Sequence, residues 1–109
     1  MEYGLTFVLD MYDFEEGEEM HVLTLPGDFM RMSRWATKNL HEDGGETVAN
    51  LERNYALAWF ALKRIGELDK RSLPTELTME AIESMSDRFS IFVGDVSEES
   101  LPLTQGRAG

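Results

Sequence analysis

The stretch Tyr55-Ala56-Leu57-Ala58-Trp59-Phe60-Ala61-Leu62 constrains this chain more than any other, because it is apolar on almost every side. It sits inside a longer helical pattern in which Val48, Leu51, Tyr55, Ala58, Leu62 and Ile65 recur at intervals of 3, 4, 3, 4 and 3. A helix that is apolar all round has to be covered by other elements on more than one side. The pattern predicts a central helix over residues 47–66, with Thr47 as its N-cap. Lys63 and Arg64 complement the dipole at its end, and Gly66 stops it.

The remaining elements are those available to cover that helix. Upstream, Tyr3, Leu5, Phe7, Leu9 and Met11 alternate with period two, the pattern of a half-buried strand. A second strand is expected from Met20 to Leu25, after a charged turn over Tyr12–Glu19 in which Gly17 supplies a free φ. Residues 1–26 thus read as a hairpin closed by Pro26-Gly27. Asp28 is placed as the N-cap of a helix over residues 28–40, with Phe29, Met32, Ala36 and Leu40 on one stripe. After a polar loop and the central helix comes a linker with Pro74. Thr78 then caps a helix over residues 78–93, in which Met79, Ile82, Met85, Phe89 and Phe92 are spaced 3, 3, 4 and 3, with Gly94 as its stop. Residues 95–109 are polar and aperiodic and read as a flexible tail. The expected fold class is α+β: one small domain over residues 1–94, an N-terminal β-hairpin followed by about three helices. A lone hairpin is marginal, so it packs on the helices or pairs with another copy. The pattern leaves self-association by edge pairing open.

Charge narrows the function classes. With 21 acidic residues against 10 basic ones the formal net charge is −11, which repels phosphate backbones and anionic lipid surfaces. The reading is therefore of a chain with no nucleic-acid and no membrane partner. No run approaches the ~20 apolar residues of a membrane helix, and Met1–Asp10 lacks the basic and apolar regions of a signal peptide, so a cytoplasmic location is expected. The absence of cysteine excludes disulfides and thiolate chemistry. His21 and His41 stand apart, without a second ligand at helical spacing, and no phosphate-binding, dinucleotide or nucleophile motif occurs. Asp10, Asp13, Glu15, Glu16, Glu18 and Glu19 form a dense acidic cluster, read as a solvated turn in preference to a weak cation site, since the spacing does not match a calcium loop. The expectation is a protein that is not an enzyme and takes no metal or cofactor.

What remains is surface. Arg31, Arg34 and Lys38 share a helix face away from the apolar stripe, either balancing nearby carboxylates or meeting an acidic partner. The chain carries 7 methionines, which fill cores and also adapt to irregular partners. Trp59 belongs to the core pattern, whereas Trp35 lies off its stripe and is expected to be partly exposed. The candidate partner-binding set is therefore Trp35, Arg31, Arg34 and Lys38 on one helix, with Met79, Ile82, Met85, Phe89 and Phe92 lining a groove on the last. Replacing Trp35 or Phe89 by Ala is expected to weaken binding while leaving the fold intact.

The order of segments resembles a known family. A β-element ends in Leu25-Pro26-Gly27-Asp28 and leads into the aromatic- and Arg-bearing helix Asp28–Trp35. An apolar helix follows that closes on Ala58-Trp59-Phe60-Ala61-Leu62-Lys63-Arg64-Ile65-Gly66, then a helix with Met79 to Phe92 and an acidic, Pro- and Gly-containing tail. Over most of the chain, from about Met20 onward, this is similar to the tail assembly chaperones of siphophages, above all those infecting actinobacteria. The Met1–Glu19 segment has no counterpart in that resemblance. It implies binding to the tape measure protein, recruitment of major tail tube subunits, a host-cytoplasmic location and exclusion from the mature virion. It also implies a longer form made by frameshifting, joined after the tail Leu101-Pro102-Leu103-Thr104-Gln105-Gly106. The alternatives from other classes are an acidic DNA-mimic inhibitor and a small protein-binding adaptor.

Overall fold

A computed structural model describes residues 6–40 and 45–95. The order of elements is β1 (Phe7–Asp13), β2 (Glu18–Leu23), α1 (Pro26–Asn39), α2 (Glu46–Arg64), α3 (Glu67–Lys70), α4 (Met79–Arg88) and β3 (Phe89–Asp95). The fold is α+β: an antiparallel three-stranded sheet in the order β2-β1-β3, with the helices packed on one face.

The hairpin forms, with its first strand over Phe7–Asp13 in place of Tyr3–Met11. Tyr3 and Leu5 lie outside the described residues, and pairing continues two residues past Met11, to Asp13 opposite Glu18. Period-two alternation holds: Leu9 and Met11 are buried on the helix-facing side, while Asp10 and Tyr12 point the other way. Opposite residues share a face, so Val22 and Met20 on β2 join them, as do Val93, Ile91 and Phe89 on β3.

The third strand overturns the expected last helix, which ends at Arg88 instead of residue 93. Phe89 and Phe92 fit a helical stripe by spacing. Phe89, Ile91 and Val93 equally fit period two, and an aromatic and β-branched run with no charge favours the sheet. Gly94 consequently sits in the strand opposite Val8 and stops no helix. The expected tail loses Asp95 to β3, and residues 96–109 lie outside the described residues, as do His41 and most of its loop.

Helix boundaries follow local chemistry. Pro26 occupies the first position of α1, where a missing N–H costs nothing. Asp28 is not the N-cap: it stands one turn in, and its Oδ2 accepts from the Leu25 amide at 2.9 Å. Thr47 does not cap α2 either, because Gly45 takes that position and Glu46 is already helical. Thr78 does cap α4, its Oγ1 accepting from the Ala81 amide at 3.1 Å. Gly66 ends α2 with φ +78°, a conformation that costs glycine least.

The expected centrality of α2 holds in its middle. Ala56, Leu57, Ala58, Trp59, Ala61 and Leu62 are all buried, and the alanines let neighbouring elements approach closely. The ends of the predicted seam are not buried: Val48, Leu51 and Ile65 are exposed, because α1 and the sheet cover only the central turns. Two indoles fasten the segment before α4. Trp59 Nε1 donates to the Pro74 carbonyl at 2.9 Å, and Trp35 Nε1 donates to the Leu77 carbonyl at 3.2 Å. No helix of the described residues is long and apolar enough to cross a membrane.

Candidate partner-binding surface

One face of the sheet bears no helix among the described residues, and strand register determines what stands on it, from buried Val8 at one end to exposed Phe92. Val8, Asp10 and Tyr12 of β1 lie between Leu23, His21 and Glu19 of β2 and Gly94, Phe92 and Ser90 of β3. Phe92 is 69% exposed, Tyr12 is partly exposed, and Phe14 in the adjoining turn is 64% exposed. The Tyr12 and Phe14 rings meet edge to face with centroids 5.1 Å apart. No Lys or Arg occupies these register positions, and His21 Nδ1 is engaged by Asp10 Oδ1. Glu19 on the face and Glu15, Glu16 and Glu18 in or beside the turn complete a carboxylate rim. The face sets its aromatic side chains beside the Asp10–His21 pair of the central row, and of the turn carboxylates Glu15 and Glu18 are paired with Arg88 and Arg71.

The acidic cluster turns out to be two different things. Asp13 is fully buried and is the hub of an ion network. Its Oδ1 accepts from the Glu15 and Glu16 amides at 2.9 and 3.1 Å and from Arg88 Nε at 3.0 Å. Its Oδ2 accepts from Arg88 Nη2 at 2.9 Å and Arg71 Nη1 at 3.0 Å. Burial by itself pushes this carboxyl up. The Arg88 hydrogen bond, the two amides and the Arg88 charge outweigh burial and hold it below the usual carboxylate range. Arg71 also reaches Glu18 and Glu67, and Arg88 reaches Glu15 and donates to the Arg71 carbonyl at 2.7 Å. The rest of the cluster is solvated, with Glu16 and Glu19 making no ion pair among the described residues. No group of three or more metal-ligating side chains converges among those residues. A shallow cleft of about 580 Å³ lies beside the turn, lined by Phe14, Leu73, Pro74 and Arg88 among others, but the Arg88 donors facing it are already committed.

Of the residues singled out by the sequence pattern, the structure scatters most. Ile82, Met85 and Phe89 are core side chains, with Phe89 only 1% exposed, so they line no open groove. Helical spacing identified their buried side and not a surface. Met79 and Trp35 are half-buried, and Phe92 is exposed but belongs to the far face of the sheet. Arg31 is paired with Asp28 at 3.1 Å, and that buried carboxylate also takes Arg64 at 3.0 Å. Arg34 and Lys38 are exposed and make no ion pair among the described residues. Tyr12 and Phe14, missed because they were read as part of a charged turn, continue the alternation of β1 on its outward side. That alternation was the available signal.

Comparison with protein-family profiles, with curated proteins and with solved structures finds no match.

Proposed function

We propose that this chain is a non-catalytic, protein-binding chaperone of the siphophage tail-assembly kind. It keeps a long amphipathic helical client, the tape measure protein, soluble in the host cytoplasm and brings tail tube subunits to it. The observation that carries the reading is the sheet face that bears no helix among the described residues, where Tyr12, Phe14 and Phe92 stand exposed beside carboxylates. Aromatic side chains are the usual anchors of protein interfaces. A surface on which exposed aromatic side chains stand among carboxylates suits a helix with one apolar face and flanking Lys or Arg. The net charge of −11 then keeps the complex dispersed. The site differs from the groove expected on the last helix, whose lining is core.

The test is co-expression with the longest helical protein encoded nearby, followed by size-exclusion chromatography with light scattering. The client is expected to become soluble and to co-elute with several copies of this chain. A Tyr12→Ser, Phe14→Ser double variant is expected to fold normally and lose the client. A client that stays insoluble while this chain elutes alone refutes the reading. Binding that collapses on raising salt and is unaffected by the Tyr12→Ser, Phe14→Ser change points instead to an acidic decoy of nucleic acid, since apolar contacts resist screening.

A further inference from the structure

We propose that β3 is the interface of a symmetric dimer, in which two copies join their sheets edge to edge into one six-stranded sheet. The inference stands independently of the chaperone reading. Its starting point is which way the backbone of β3 faces. The Arg88 carbonyl accepts from the Phe14 amide at 2.9 Å, so it points toward the hairpin. The Phe89 amide donates to the Met85 carbonyl, and the Phe89 carbonyl accepts from Tyr55 Oη at 2.7 Å, so both point away from β1. Alternation along an antiparallel strand then turns Ser90, Phe92 and Gly94 toward β1, in agreement with their register partners Tyr12, Asp10 and Val8. Ile91, Val93 and Asp95 face outward. With β3 at the end of the sheet, the two N–H and two C=O groups of Ile91 and Val93 have no partner among the described residues.

This edge is lightly defended. Phe89-Ser90-Ile91-Phe92-Val93-Gly94 contains no charge and no proline, and the one charge of the strand, Asp95, stands at its end. The opposite edge, β2, carries Glu18, Glu19 and His21. Open, uncharged, β-rich edges recruit further strands. The strand is also self-complementary in one register. With the two-fold axis at Phe92, Ile91 lies opposite Val93 of the second copy and Val93 opposite its Ile91, and these pairs exchange four hydrogen bonds. The two Phe92 side chains, among the most exposed apolar groups described, become a non-hydrogen-bonded cross-strand pair on the outer face. An axis at Ile91 would instead set Val93 against Phe89, whose backbone groups are already engaged. An axis at Val93 also pairs these groups, Val93 with Val93 and Ile91 with Asp95, but it sets Phe92 opposite Gly94, so the Phe92–Phe92 pair distinguishes the Phe92 axis. The chain's own segment 96–109 is the competing occupant of this edge.

The proposal is tested by sedimentation velocity on the full chain across the micromolar range, at low and high NaCl. The wild type is expected to show a monomer–dimer equilibrium that tightens with salt, because two copies of charge −11 repel. Val93→Pro removes two of the four hydrogen bonds at a position where an edge strand tolerates proline. It is expected to raise the dissociation constant by roughly thirtyfold. Phe92→Lys, on an exposed position, is expected to do the same with an unchanged far-ultraviolet circular dichroism spectrum. The chain has no cysteine, so Phe92→Cys is expected to give a disulfide-linked dimer on oxidation, and His21→Cys on the opposite edge is not. A wild type that stays monomeric at every concentration and salt overturns the proposal and leaves the edge to segment 96–109. So does a dimer that survives both Val93→Pro and Phe92→Lys.

Discussion

Asp13→Asn is the most informative single change, because it preserves shape while removing the charge at the centre of the ion network. The asparagine side chain has one acceptor oxygen. If that oxygen keeps the Glu15 and Glu16 amides, the new NH2 group faces Arg88 Nη2 and Arg71 Nη1, donor against donor. Removing one partner of a buried pair costs about 3–5 kcal/mol. Arg71 retains Glu18 and Glu67, and Arg88 retains Glu15, so the lower end, about 3 kcal/mol, is expected here. For a domain of this size that is a fall in Tm of roughly 12–24 °C. Urea unfolding at pH 7 gives the comparison, with Asp10→Asn as the exposed control worth about 0–1 kcal/mol. The pH dependence supplies a second readout. A carboxyl held below its ordinary value of 3.8 contributes stability that is complete above that value and is lost as pH falls through the lowered folded value. The gap between wild type and Asp13→Asn should therefore be constant near neutrality and begin to close only below about pH 4. If the two Asn variants unfold at the same urea concentration, the network is not what holds the turn, the α3–α4 linker and β3 together.

The remaining predictions use the same assay. Phe89→Ala empties a fully enclosed site and is expected to cost about 3–5 kcal/mol, so weaker binding by this variant would report lost stability and not a lost contact. Thr78→Ala removes the hydroxyl that accepts the Ala81 amide and should cost about 1 kcal/mol. Gly66→Ala meets no steric neighbour, so only the positive φ opposes it, at roughly 1–2 kcal/mol. A neutral result there would mean that the end of α2 can re-form without the left-handed residue.

What was legible in the sequence was periodicity wherever only one period fitted. Leu9 and Met11 on the strand, Met32 and Ala36 on α1, and the all-apolar middle of α2 faced inward as their spacing required. The failures share a physical origin. Phe89 and Phe92 satisfy helical and strand spacing at once, and pairing with β1, 76 to 88 residues earlier in the sequence, decided between them. Asp28 and Thr47 are good capping residue types, but Pro26 starts one helix earlier and Gly45 takes the cap of the other. The site was read least well. Helical spacing among Ile82, Met85 and Phe89 reports burial, and burial is the opposite of availability. The true outward positions, Tyr12 and Phe14, sat in a segment dominated by glutamates. Asp13 looked like one more solvated acid, because its partners Arg71 and Arg88 lie 58 and 75 residues away.

The pairing of Phe7 with Asp95 joins nearly the two extremes of the described chain. The central strand therefore cannot acquire its second neighbour during synthesis until almost the whole domain has emerged. Helices α1 and α2 rest on local contacts and form early, whereas β1 waits with one flank bare. Closing so long a loop is slow, though its entropic cost grows only logarithmically with length. A nascent chain of this fold spends its last moments as a hairpin on a helical scaffold, with the strand that completes it still to arrive. Any event that delays the ribosome before Asp95 prolongs exposure of that flank and of Leu9 and Met11 beneath it.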